Sequence, residues 1–246
     1  MCTIPVLKMK ILGIETSMYA GSIAVSEDEK ILGEYYFNTG PSHSEKLLPS
    51  IDWLLKELSI DKTELEGIAV SLGPGSFTSL RIGLAAAKGL SYALGIPIAG
   101  VCTLELMANN LPLAPFTICP LIDARRGEVF TAFFESQEGR VVRISEDMVL
   151  SAENLAGKIK DRTILIGEGA LLYSDFLEDI MGADGYAVLC PEPLSYPRAG
   201  VLSSMGYLII RDGGGDDPHT LSPHYMRKSE AELVKESSKK DESKRG

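Results

Sequence analysis

The run Gly73-Pro74-Gly75-Ser76-Phe77-Thr78 holds the most specific chemistry-bearing spacing in this chain. A strand-like stretch, Ile68 to Leu72, leads into it, and a helix-like stretch, Leu80 to Leu94, leads out. Two glycines around a proline give a sharp turn with no Cβ at two points. The N–H groups that open the following helix lack intrahelical acceptors. Gly73, Gly75 and Ser76 could therefore cradle a phosphate or admit a partner's backbone. A tight connection with no ligand explains the same residues. The run is not a P-loop, which needs four residues between its glycines and then Lys-Ser/Thr, nor a dinucleotide fingerprint, whose third glycine is missing.

Two acids end apolar strands: Glu15 after Ile11-Leu12-Gly13-Ile14, and Asp123 after Thr117 to Ile122. Facing each other across a cleft, they could work with magnesium. Each could equally hydrogen-bond the turn it enters. His43 sits at an expected helix start, where Ser42 or Ser44 could cap. His219 and His224 flank a proline five residues apart, a poor metal geometry. Cys2, Cys102, Cys119 and Cys190 form no CxxC pair, which argues against zinc and against a disulfide framework. The last three read as buried thiols. No Ser/His/Asp constellation is legible.

The elements that must position these groups fall into two similar halves. Ile11 to Thr16, Ser22 to Ser26 and Ile31 to Phe37 read as an antiparallel meander by alternation and turn chemistry. Thr117 to Asp123, Glu128 to Phe134 and Arg140 to Ile144 repeat it. Each meander leads to a helix and then to a strand meeting a Gly-rich turn: Glu45 to Leu58 and Ile68 to Gly75, then Ala152 to Lys160 and Thr163 to Gly169. The pattern predicts an α/β protein of two duplicated units, 1–108 and 109–228, each a mixed sheet flanked by helices. Asn109 to Pro115 has linker composition. Residues 229–246 read as a disordered tail.

Two helices carry stripes. Leu47, Ile51 and Leu54 line one face of Ser44 to Leu58. Ile82, Ala86, Gly89 and Ala93 line another, kept flat by small residues. Both stripes are candidates for a partner interface; packing on the chain's own sheet is the alternative.

The 246 residues carry a formal net charge of −10, unevenly: seven basic against five acidic residues from Arg227 onward make the end about +2. An acidic chain offers no general nucleic-acid surface. Met1 to Lys10 has no long apolar stretch, so no signal peptide is expected; with no run of about 18 apolar residues, a cytoplasmic location and no membrane span are expected. Met9 could serve as an alternative start.

Ile11-Leu12-Gly13-Ile14-Glu15-Thr16-Ser17, His43-Ser44-Glu45-Lys46-Leu47-Leu48-Pro49, Gly73 to Gly83 and Pro223-His224-Tyr225-Met226-Arg227 together resemble the TsaB (YeaZ-like) family in order and spacing. The resemblance spans about residues 9 to 228. It implies an actin/hexokinase-like ATPase fold of two RNase H-like units. It also implies a non-catalytic partner of TsaD, joined by the ATPase TsaE, in threonylcarbamoyl transfer to the adenosine beside the anticodon (t6A) of tRNAs reading A-starting codons. No tightly bound cofactor is expected, with ATP or ADP admitted at the partner interface, self-association as a homodimer, and tRNA touched only indirectly.

Glu15 departs toward the sister family TsaD, since most TsaB chains have Asp there. TsaD places a His-x-x-x-His metal pair after a Gly-Val; here Thr103 and Met107 stand at those positions, and neither suits a hard divalent ion. Ser79 replaces a frequent glycine. A different class remains open: an actin-like-fold ATPase or small-molecule kinase using Glu15 and Asp123. A peptidase reading comes only from old naming of the wider group and lacks both a metal pair and a nucleophile–base pair.

Overall fold

The computed structural model describes residues 8–38, 43–181 and 186–227; the expected tail and the start at Met1 lie outside them. The strands of the first unit are β1 (Lys10–Glu15), β2 (Gly21–Glu27), β3 (Lys30–Phe37), β4 (Gly67–Gly73) and β5 (Ile98–Cys102). Their order is β3-β2-β1-β4-β5, with β1–β3 antiparallel and β1, β4 and β5 parallel. Helices α1 (His43–Glu57) and α2 (Phe77–Leu94) lie on this sheet, and α3 (Thr103–Ala108) leaves it.

The second unit holds β6 (Thr117–Arg125), β7 (Glu128–Thr131), β8 (Phe134–Gln137), β9 (Arg140–Arg143), β10 (Met148–Ser151), β11 (Thr163–Ile166) and β12 (Ala187–Leu189). Its helices are α4 (Ala152–Ala156), α5 (Glu168–Leu172) and α6 (Ser174–Met181); α7 (Ala199–Arg211) is the last helix among the described residues. The order β10-β7-β6-β11-β12 reproduces that of the first sheet strand for strand. The duplication is therefore real, with one correction. The stretch expected as a single strand from 128 to 134 breaks, and β8–β9 form an inserted hairpin. The third strand of the second meander is β10, not β9. Helix α4 also ends at Ala156, short of the expected Lys160.

Side-chain alternation decides how the first sheet is covered. Leu12 and Ile14 of β1 and Ile68 and Val70 of β4 face α1 and α2. Ile11 and Ala69 face α7, with Leu202 and Ile210 packed on them. Both faces are buried, so these strands read as continuous apolar runs. Helix α7 thus crosses back to the first unit, and 109–228 is not a self-contained second body. Its start is fixed there: the Ala199 N–H donates to Ser22 Oγ at 2.9 Å, and Arg198 forks onto Glu34 at 3.1 and 2.7 Å. Helix α3 lies between the units, with Leu104 and Met107 in the second core and Leu106 on the α7 side of the first.

The α1 stripe requires a second correction. Leu47, Ile51 and Leu54 are 1, 4 and 4 % exposed and belong to the first core, so they cannot face a partner. A hydrophobic stripe records burial, not what does the burying. Leu54→Ala is expected to cost about 2–5 kcal/mol through the cavity it leaves. The urea midpoint of the isolated chain reads this directly.

Candidate functional site

The two units face each other across a cleft of about 330 Å³. Residues 74–78 of the glycine loop and the turn after β1 form one wall, with Gly73 outside it; residues 122–126 and Glu168 form the other; residues 224–227 line it as well.

The glycine loop owes its sequence to a close approach inside the chain. A Cβ on Gly75 would stand 2.2 Å from the Ser17 carbonyl oxygen. That same oxygen accepts the Ser76 N–H at 2.7 Å. The hydroxyl of Thr16 donates to the Ser79 carbonyl at 2.9 Å, locking the start of α2 to the β1 turn. Gly73 has φ +111°, and Gly167, its counterpart after β11, has φ +117°, so the backbone bends alike at both repeats. Of the expected phosphate cradle, Ser76 has thus committed its N–H, and Gly75 is pressed on backbone. Ser76, Phe77 and Thr78 still line the cleft at the start of α2.

Glu15 does not reach the cleft. It is fully buried, and Oε1 accepts the Ser17 N–H and hydroxyl, each at 2.5 Å. Asp123 makes the same contact one repeat later: its Oδ1 accepts the Arg125 N–H at 2.8 Å. Both acids therefore hold the turns that follow them, and the expectation that they face one another across the cleft is corrected. Asp123 alone lines the cleft, paired with Arg125 at 3.2 Å. Burial pushes the Glu15 carboxyl above the usual carboxylate range, against the pull of the Ser17 N–H and hydroxyl. The native state then keeps a proton that the unfolded chain releases. Stability should fall as pH rises from about 4 through the raised value and level off above it. Glu15→Gln is expected to flatten that slope, as urea midpoints measured across pH 4–8 would register.

Glu168, at the start of α5, is the second acid in the cleft; burial, then the charge of Asp123, raises its pKa. The rim carries groups that no spacing announces. The Arg81 guanidinium lies 3.8 Å from the Phe77 ring centroid and donates to the Tyr225 hydroxyl at 2.8 Å. Phe77 and Tyr225 stack at 4.8 Å. Arg125 and Arg126 both have positive φ, which turns the chain sharply at the cleft edge. Arg125-Arg126-Gly127 reads in sequence only as a turn, and the closing motif only as a family mark. The cleft offers recognition chemistry: guanidiniums, aromatic faces, and two acids on one wall. Among the described residues, no three His, Cys, Asp or Glu side chains are grouped to hold a metal ion.

Thr103 and Met107 are both fully buried in α3, Met107 within the second core. On α2, Ile82 and Ala86 pack against the first core, whereas Ala85, Gly89 and Ala93 are exposed. Among the described residues, nothing beyond the local helix backbone lies within 4 Å of where a Gly89 Cβ would be. Only the Gly89–Ala93 half of the expected α2 stripe faces outward. No helix among the described residues is long and apolar enough to cross a membrane.

The duplicated β3-β2-β1-β4-β5 sheets around a central cleft define a two-unit, actin/hexokinase-like architecture. A ROK hexokinase from Thermus thermophilus shares it, with a TM-score of 0.50 at 13 % identity over 83 % of this chain and 100 % of that one. YeaZ from Pseudomonas aeruginosa superposes with a TM-score of 0.75 at 26 % identity, over 89 % of this chain and 100 % of its own. The tRNA threonylcarbamoyladenosine biosynthesis protein TsaB of Bacillus subtilis (strain 168) is 34 % identical over 227 residues, 91 % of this chain and 96 % of that protein. The profile of the family described as TsaD, tRNA N6-adenosine threonylcarbamoyltransferase, matches residues 37–177. The chain belongs to the TsaB (YeaZ-like) family.

Proposed function

We propose that this protein acts in tRNA threonylcarbamoyladenosine biosynthesis as a non-catalytic subunit. It pairs with a TsaD-type transferase that moves the threonylcarbamoyl group to the adenosine beside the anticodon, with TsaE joining the pair. Family membership supports the pathway. The observation that carries the subunit role is the outward half of α2. Gly89 and Ala93 leave a helix surface with almost no side-chain relief, beside a Tyr92 that is 77 % exposed. Small residues let a second helix axis come close, and an aromatic at the edge gives an anchor. A stable pairing would bury roughly 1,600 Å² in total.

The burial of Thr103 and Met107, where TsaD is expected to hold its metal, supports a supporting role over a chemical one. The burial of Glu15 away from the cleft removes one of the two acids on which an ATPase or kinase reading depends. ATP or ADP, where it takes part, enters at the partner interface; tRNA is met through the partner; and the same α2 face can serve a homodimer.

The test is to mix the purified chain with the TsaD-type protein of its own source, then measure complex mass and tRNA modification. A heterodimer, with modification dependent on the added chain, is the expected result. Modification by the purified chain alone, or no complex at any ratio, would end this reading.

A further inference from the structure

We infer that residues 224–227 form a clasp that ties the two units together across the mouth of the cleft and sets how far it opens. These four residues divide their contacts between the units. The His224 N–H donates to the Leu72 carbonyl of β4 at 2.7 Å, while its ring Nε2 meets Asp147 Oδ2, from the second unit, at 3.0 Å. Tyr225 returns to the first unit, stacked on Phe77 and hydrogen-bonded to Arg81. Met226 packs on the second core. Arg227 donates to the Ala124 carbonyl at 3.1 Å and pairs with Glu128, both in the second unit.

These ties lie at the rim. The His224 side chain is 51 % exposed, whereas Met18, which reaches from the β1–β2 turn into the second core, is 2 % exposed. Met18 and α3 hold the floor and can act as a pivot; the clasp holds the open side. A short rim segment held mainly by hydrogen bonds and ion pairs, with one stacked ring and one packed methionine, is the kind of element that opens locally at lower cost than the cores. Hinges of this kind let two packed bodies rock without either losing its core. The clasp itself lines the cleft, so a ligand or partner entering there meets it first.

The test compares the full-length chain with His224→Ala/Arg227→Ala and with Glu128→Gln by hydrogen exchange and small-angle scattering. In the double variant the residue-224 amide, which the Leu72 carbonyl holds, should exchange at least ~10-fold faster, and the maximum particle dimension should grow. Amides of β1 and β6 should keep their original rates. Glu128→Gln removes the carboxylate partner of Arg227 without altering the segment, and should speed the same amide by a smaller factor. The inference is overturned by unchanged exchange of the residue-224 amide. A rise shared equally by β1 and β6 overturns it too, since that marks general loss of stability. So does a double-variant effect that Glu128→Gln fails to reproduce in part.

Discussion

Gly89→Arg is expected to abolish pairing with the proposed transferase partner while the monomer keeps its fold, with a urea midpoint at or above that of the wild type. The side chain has open space to enter, because among the described residues nothing beyond the local helix backbone lies within 4 Å of the position its Cβ would take. In the monomer an exposed helical Gly→Arg change is favourable by up to about 1 kcal/mol from helix propensity alone. In a close helix-to-helix contact the same side chain is a steric block with a charge to desolvate. Such central disruptions at interfaces cost about 2 kcal/mol and often more, a loss of at least thirtyfold in affinity. Ala86→Arg would be a poor substitute, since Ala86 packs against the first core and the change would confound folding with pairing. Co-purification and the mass of the mixed sample decide the matter. A complex of normal strength with Gly89→Arg would show that this face is not the one used.

The second large effect concerns folding. Gly206→Val is expected to destabilise the chain by about 3 kcal/mol or more, the upper part of the range for overpacked sites. A Cβ at Gly206 would stand 2.4 Å from the Ala69 Cβ in the central strand β4. Neither side can give way: one is a helix axis and the other a sheet backbone. Relief requires lifting α7, which would uncover Ile11, Ala69 and Ala99 beneath it. Domains of this kind retain roughly 5–15 kcal/mol in all, so the loss should appear as a much lower urea midpoint and poor soluble yield. A wild-type midpoint would mean that α7 does not rest on Ala69.

The strands β1, β4 and β6 and the helices α1 and α2 were legible because each is a long, strongly patterned run. The partner face was only half legible. Leu47, Ile51 and Leu54 show the same periodicity whether a sheet or a subunit buries them. Gly83 and Gly89 look alike in a list of small residues. Yet a Cβ on Gly83 would lie 2.1 Å from Thr16 Oγ1, and one on Gly89 would meet nothing. Glu15 shows the same ambiguity, since an acid after an apolar strand can face a ligand or bind its own turn. Nothing local marks α7 as a cover for the first sheet, because the residues it meets lie more than a hundred positions earlier. The cleft rim was missed for a related reason: Phe77, Arg81 and Tyr225 meet only in three dimensions.

The return of α7 to the first sheet has a consequence for how the protein is made. The five strands of that sheet are complete once Cys102 is added, yet the helix that covers one face begins only at Ala199. At typical translation speeds of about 5–20 residues per second, the roughly one hundred residues in between take on the order of 5–20 s to synthesise. Throughout that interval Ile11, Ala69 and Val101 lie on an unshielded apolar surface of the nascent chain. Ribosome-bound truncations ending before α7 should therefore recruit holdase chaperones, and ones extended past it should let them go.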